Sequence, residues 1–156
     1  MAPLLVLLAV FLGALLAQRA LRGRWSPAAA GRLAAAAMFV FTGASHFVFT
    51  AEMSEMVPPV FPRPLFWIYL TGILEILGAI GLLLERTRRA AAWGLALLLL
   101  ALFPANVYAA MEGVGMGRHV EGPSYLWARG ALQAVFLAWV VWFGLVIDRR
   151  SRGGPG

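Results

Sequence analysis

Five polar side chains lie inside long apolar stretches of this sequence, and they are the residues best suited to chemistry. Glu75 stands in the middle of an apolar segment, where a charged carboxylate is unfavourable unless it is paired or protonated. The other four are His46, Asn106, Arg129 and Gln133. Side chains of these types exchange protons or form hydrogen bonds, so they can bind a polar ligand or hold each other.

Spacing within each segment indicates the face on which these side chains lie. Gly72 and Gly78 share the helical face of Glu75, and such a small-residue face is typical of close helix packing. Arg129 and Gln133 also share one face. At about 1.5 Å per residue, Arg129 lies about 6 Å and Glu75 about 13 Å from the outer ends of their helices. Because an Arg side chain is long, we predict a Glu75–Arg129 pair.

The remaining polar residues fall in the same half of their segments. Asn106 follows Pro104, which removes one backbone N–H and frees the carbonyl of Leu100. We therefore predict a polar pocket at this end, lined by His46, Phe47, Tyr69, Glu75, Asn106, Arg129 and Gln133. The alternative is that the same side chains only fix the register of neighbouring helices through interhelical hydrogen bonds.

The segments that carry these residues are long and apolar enough to cross a membrane. Of the 156 residues, 62% are hydrophobic and 13% are charged, whereas a soluble domain is about half apolar and about one quarter charged. A helix needs about 20 apolar residues to cross the hydrocarbon core. We predict five spans, at residues 3–17, 28–49, 66–84, 90–111 and 125–147, and a short interfacial helix at 51–56.

The basic residues predict the orientation of these spans. All thirteen are Arg, and ten of them lie on one side of the membrane, while Arg63, Arg118 and Arg129 lie on the other. Because cytoplasmic loops are enriched in basic residues, we predict a multi-pass protein of the cell membrane with its N-terminus outside and its C-terminus in the cytoplasm. Since these Arg flank membrane spans, we expect them to meet lipid headgroups, and we expect no nucleic-acid partner.

The first apolar segment has two interpretations. A signal peptide carries positive charge before its apolar core, whereas here Arg19, Arg22 and Arg24 follow it. This order favours a retained helix, although short apolar segments are also typical of signal peptides. The predicted organisation is an N-terminal helix and basic linker at 1–24, a four-helix domain at 25–148 and a disordered cytoplasmic tail at 149–156.

The sequence limits the cofactors that this chain can hold alone. It contains no Cys, which excludes thiol–disulfide exchange and iron–sulfur ligation by its own residues. It contains two His, His46 and His119, and a haem would need both at similar depth on facing helices. We therefore predict no metal site.

Five short runs resemble the DoxX-like family of small membrane proteins in their order and spacing. The runs are residues 43–47, 56–59, 69–83, 103–106 and 129–133, within a resemblance that covers about residues 31–147. The resemblance implies an all-α integral membrane four-helix bundle, to which the first span is an addition. It also implies an association with quinol oxidases or thiosulfate:quinone oxidoreduction, and pocket roles for His46, Glu75, Asn106, Arg129 and Gln133.

Three functions are compatible with these features. The first is an accessory protein of a quinone-linked respiratory or redox system, which binds a quinone in the polar pocket and has no catalytic activity on its own. The second is a structural or assembly subunit of a membrane complex. The third is a small transporter, which would need polar residues in the inner halves of the spans, where the sequence has no comparable set. Expected partners are the lipid bilayer and redox or oxidase subunits, and a homo-oligomer stays open.

Overall fold

The computed structural model describes residues 1–113 and 123–147, and every regular element within them is a helix. The helices are α1 (Ala2–Arg22), α2 (Pro27–Val48), α3 (Thr50–Glu55), α4 (Pro64–Leu83), α5 (Arg88–Met111) and α6 (Pro123–Val141). A π-helical turn, Trp142–Val146, continues α6. The all-α class is therefore confirmed. The predicted disordered tail at 149–156 lies outside the described residues.

Five of the helices are long and apolar enough to cross a membrane. They are Ala2–Leu21, Pro27–Val48, Pro64–Leu83, Arg88–Met111 and Leu126–Val146. Four of them match the predicted spans within about two residues, because hydropathy over a full span is a strong signal. A short helix is also present where one is predicted at 51–56; it is α3, which connects α2 with the Pro-rich loop before α4.

The first span is longer than predicted. Helix α1 continues past residue 17 and ends at Arg22, because Ala20 and Leu21 are good helix formers and the Arg residues interrupt only the apolar run. The helix stops at Gly23, whose φ of 66° is the left-handed conformation that favours Gly. The Gly23 N–H donates to the carbonyl of Arg19 at 3.1 Å, which satisfies one of the last carbonyls of α1.

Helix α2 is in contact with most of the other helices. It packs against α1 and α4, and further contacts join α4 to α5, α5 to α6, and α6 to α2. The buried apolar core draws side chains from all five long helices and the π-helical turn: Leu7, Ala34, Ala35, Ala36, Met38, Phe39, Ala79, Leu82, Ala92, Leu95, Val140 and Leu145. Many of these residues are small, which allows helix backbones to approach closely, as is usual inside membranes.

The closest approach that concerns the polar residues lies between α2 and α4, at Gly43 and Gly72. A Cβ atom on Gly43 would lie 2.9 Å from the Gly72 carbonyl oxygen, and one on Gly72 would lie 2.8 Å from the Cβ of His46. Neither position has room for a methyl group. The two glycines therefore set the distance between the helices that carry His46 and Glu75.

We predict that Gly72→Ala destabilises the fold by about 1–3 kcal/mol, because the added methyl group would overpack the contact between α2 and α4. The measurement is the free energy of unfolding of the purified protein in detergent. Gly94→Ala on α5 is the matched control, since a Cβ atom there would meet nothing within 4 Å. Equal stability of the two variants would contradict the close packing at Gly72.

Candidate functional site

The predicted polar residues form two separate hydrogen-bonded groups in the structure. The His46 group consists of His46, Thr71 and Glu75, and it lies between α2 and α4. The Asn106 group consists of Asn106, Arg129 and Gln133, and it lies between α5 and α6.

In the His46 group, the imidazole ring bridges the two helices. Its Nδ1 atom lies 3.0 Å from the carbonyl oxygen of Ile68 and 3.1 Å from the hydroxyl oxygen of Thr71, both on α4. Its Nε2 atom lies 3.8 Å from Oε1 of Glu75. This last distance is too long for a direct hydrogen bond but within the range of an ion pair. The ring therefore joins a backbone carbonyl on one edge to a carboxyl group on the other.

The Ile68 carbonyl favours one of the two tautomers of the neutral His46 ring. In that tautomer Nδ1–H donates to the carbonyl oxygen, which only accepts hydrogen bonds, and Nε2 has a lone pair. A lone pair facing a carboxylate is unfavourable. The contact becomes favourable when one proton is present on Nε2 or on the Glu75 carboxyl. The geometry therefore provides a site for one proton between α2 and α4.

Glu75 is buried, with 5% of its surface exposed, and its Oε2 atom has no hydrogen-bond partner among the described residues. A buried polar atom of this kind is unfavourable unless a donor reaches it. Thr42, one turn before His46 on α2, lies within side-chain hydrogen-bond reach of this carboxyl group, while its hydroxyl donates to the Phe39 carbonyl at 3.3 Å. The Glu75 carboxyl can therefore accept one more donor, either the Thr42 hydroxyl after rotation or a donor group of a ligand.

An aromatic pair lies on the outer surface of the same two helices. The rings of Phe47 and Tyr69 stack with their centroids 5.6 Å apart and an interplanar angle of 15°. Both side chains are exposed, and Phe47 also covers Gly72. Tyr69 thus lies on α4 near the His46 group, but its hydroxyl takes part in none of that group's hydrogen bonds.

The Asn106 group is held by hydrogen bonds between its own members. The side-chain amide of Asn106 donates to Oε1 of Gln133 at 3.0 Å, and Nε of Arg129 donates to Oδ1 of Asn106 at 2.9 Å. The amide nitrogen of Gln133 donates to the carbonyl of Leu99 on α5. The sequence predicts that the carbonyl of Leu100 is the free acceptor. In the structure the acceptor is the carbonyl of the preceding residue, Leu99, which lies in the turn of α5 that Pro104 interrupts.

The predicted pair between Glu75 and Arg129 is wrong. Glu75 faces His46, whereas Arg129 contacts Asn106. Depth along a helix was the basis of the prediction, and it does not specify which neighbouring helix a side chain faces. Thr71 is a member of the His46 group that the sequence analysis does not include. It stands four residues before Glu75, a spacing that places both side chains on the same face of α4.

Two cavities are present on the described part of the chain, and neither is lined by any of the seven predicted pocket residues. One, of about 320 Å³, is lined by Gln18, Arg24, Trp25, Ser26 and Ala29 at the connection between α1 and α2. The other, of about 350 Å³, is a shallow apolar groove along α6 and the π-helical turn, lined by Val135, Ala138, Trp139, Trp142 and Phe143. The second His considered for a haem, His119, lies outside the described residues.

Comparison with known protein families matches residues 33–144 with the family described as "Domain of unknown function (DUF8561)". The match covers more than half of the chain, so the chain belongs to this family. No curated protein and no solved structure matches the chain. The matched range contains both polar groups and begins within α2, so α1 lies before it.

We predict that Asn106→Ala and Gln133→Ala each lower the free energy of unfolding by about 0.5–2 kcal/mol, because interhelical hydrogen bonds in membranes contribute about this much. The double variant should be less destabilised than the sum of the two, since both substitutions remove the same bond. Unfolding in detergent measures all three. The control is the double variant of Asn106→Ala with Thr71→Val. Its loss in free energy of unfolding should equal the sum of the two single losses, because these residues belong to different groups. Additivity of Asn106→Ala and Gln133→Ala would contradict the bond between them.

Proposed function

Because membership of the DUF8561 family carries no function, we propose one from the geometry: an accessory membrane protein whose His46 group binds a quinol or a similar hydroxyl-bearing amphipathic molecule. The protein would serve a quinone-linked respiratory or redox system without catalysing a reaction on its own. It would lie in the cell membrane as a DoxX-like four-helix domain with α1 added, with the N-terminus outside and the C-terminus in the cytoplasm.

The observation that carries this proposal is the arrangement of acceptors around Glu75. The gap of 3.8 Å between Nε2 of His46 and Oε1 of Glu75 is too long for a direct bond. A single hydroxyl group placed beside it could donate to one of these atoms and accept from the other when that one carries the proton. The second carboxyl oxygen, Oε2, has no partner among the described residues. A quinol supplies hydroxyl donors, and its ring would suit the nearby faces of Phe47 and Tyr69.

The His46 group would also hold one of the two protons that a quinol releases when a redox partner subunit takes its two electrons. Nδ1 of His46 is committed to the Ile68 carbonyl, so a proton from a ligand hydroxyl would pass to Nε2 or to Glu75. Between the two, the His46 side chain is 13% exposed and that of Glu75 is 6% exposed, so His46 is the group that a ligand meets first. Electron acceptance would belong to a partner subunit, since this chain has no Cys for thiol chemistry.

The second candidate is a structural or assembly subunit, and the Asn106 group favours it. The side chains of that group bond to each other and to the α5 backbone, which is the pattern of interhelical hydrogen bonds that hold a bundle together. A transporter is the weakest candidate, since the inner halves of the spans offer no comparable polar set.

We predict that the full-length protein in detergent binds a short-chain benzoquinol, and that Glu75→Gln weakens this binding about tenfold, equivalent to about 1.4 kcal/mol. The substitution keeps the shape of the side chain but removes the charge and the site of the exchanged proton. Quenching of Trp fluorescence during a quinol titration measures the affinity. Quinone retained from the native membrane, extracted and quantified by mass spectrometry, should fall in parallel.

The control is Glu85→Gln, which removes an exposed carboxylate in the connection between α4 and α5 and should leave binding unchanged. The unfolding free energy of Glu75→Gln is measured alongside, so that lost binding is separated from lost folding. Failure of the wild-type protein to bind or retain any quinol would overturn the proposal. Co-purification with a membrane complex would then support the assembly subunit.

A further inference from the structure

The connection between α1 and α2 forms the open cavity of about 320 Å³ described above. It lies between the end of one candidate span, Ala2–Leu21, and the start of the next, Pro27–Val48. The cavity is therefore at the membrane surface, whichever side that surface faces. It is also outside the residues matched to the family and is formed by none of the residues in the His46 or Asn106 groups.

Each polar side chain around this cavity has a hydrogen-bond donor to offer. The Oε1 atom of Gln18 accepts a bond from the Ser26 N–H at 2.8 Å, and the NH₂ of the same amide has no partner among the described residues. The Ser26 hydroxyl makes no capping bond to α2. Arg24 is exposed and adds a guanidinium group with several donors in a planar fork.

No acidic side chain competes for these donors within α1 or α2. The first Asp or Glu in the sequence is Glu52, which follows α2, whereas Arg19, Arg22, Arg24 and Arg32 all precede it. Arg19 is used locally, since its Nη1 atom donates to the Gly23 carbonyl at 3.3 Å. A cavity with an Arg fork, an amide NH₂ and a hydroxyl, and with no carboxylate in its lining, is suited to an anion.

We propose that the α1–α2 connection binds one phosphate group, and that this phosphate is the headgroup of an anionic phospholipid. Arg24 would hold the phosphate oxygens through its fork, with Gln18 and Ser26 as further donors. The cavity is near the lower end of the range for ligand sites, about 300–1,000 Å³, which fits a headgroup and leaves the acyl chains in the bilayer. Trp25 lies beside it with 54% of its surface exposed, as an indole at headgroup level would be.

Native mass spectrometry of the full-length protein tests this proposal. The protein in detergent is exchanged into an equimolar mixture of phosphatidylglycerol and phosphatidylcholine with identical acyl chains. We expect one retained phosphatidylglycerol per chain. Arg24→Gln should weaken its binding about tenfold, equivalent to about 1.4 kcal/mol, and Arg24→Lys should restore only part of it, because the ammonium lacks the planar fork.

The matched control is Arg86→Gln, which removes another exposed Arg from the connection between α4 and α5, on the same predicted side of the membrane. It should retain the lipid. Inorganic phosphate is added as a competitor in a separate titration. Displacement of the lipid only at far higher phosphate concentrations supports a lipid site, and phosphate binding that depends on Arg24 but is as strong as lipid binding overturns the lipid assignment. Equal loss in the Arg24 and Arg86 variants, or no preference for phosphatidylglycerol, overturns the site.

Discussion

The close contact between α2 and α4 is the constraint on which the rest of the site depends. Gly43 and Gly72 have no side chains, so the two backbones approach to a distance that a Cβ atom would prevent. At that distance His46 on α2 reaches both the Ile68 carbonyl and the Glu75 carboxyl on α4. In the apolar interior of a membrane, a polar side chain must find its partner on a neighbouring helix, and here the glycines bring that partner within reach.

The two polar groups differ in how completely they are satisfied. Asn106 and Gln133 accept and donate within their own group, and the carbonyl of Leu99 takes the remaining amide donor. In the His46 group, by contrast, one carboxyl oxygen of Glu75 has no partner among the described residues. A satisfied network is what structural stability requires, whereas a buried acceptor without a donor is more typical of a binding site. This contrast is why we propose ligand binding for the His46 group and helix association for the Asn106 group.

Much of the fold follows from the sequence, but the pairing of the polar residues does not. Hydropathy over about 20 residues identifies a span with little ambiguity, and four of five spans were predicted closely. The predicted end of the first span, at residue 17, is too early, because the Arg residues end the apolar run without ending helix α1. Counting residues gives the depth of Glu75 and Arg129 but not the direction in which each points around its helix. Only the packing order of the helices, which depends on contacts such as Gly43 with Gly72, assigns Glu75 to His46.

The bond between His46 and the Ile68 carbonyl also restricts how the site can move. The imidazole belongs to α2 and the carbonyl to α4, so a half-turn flip of the ring, which puts a carbon atom in the place of Nδ1, would break a link between the helices. Such a flip would leave the Ile68 carbonyl without this donor. The position of Nδ1 therefore depends on how α2 and α4 pack against each other, and through this bond the histidine couples the chemistry of the site to the packing of the helices.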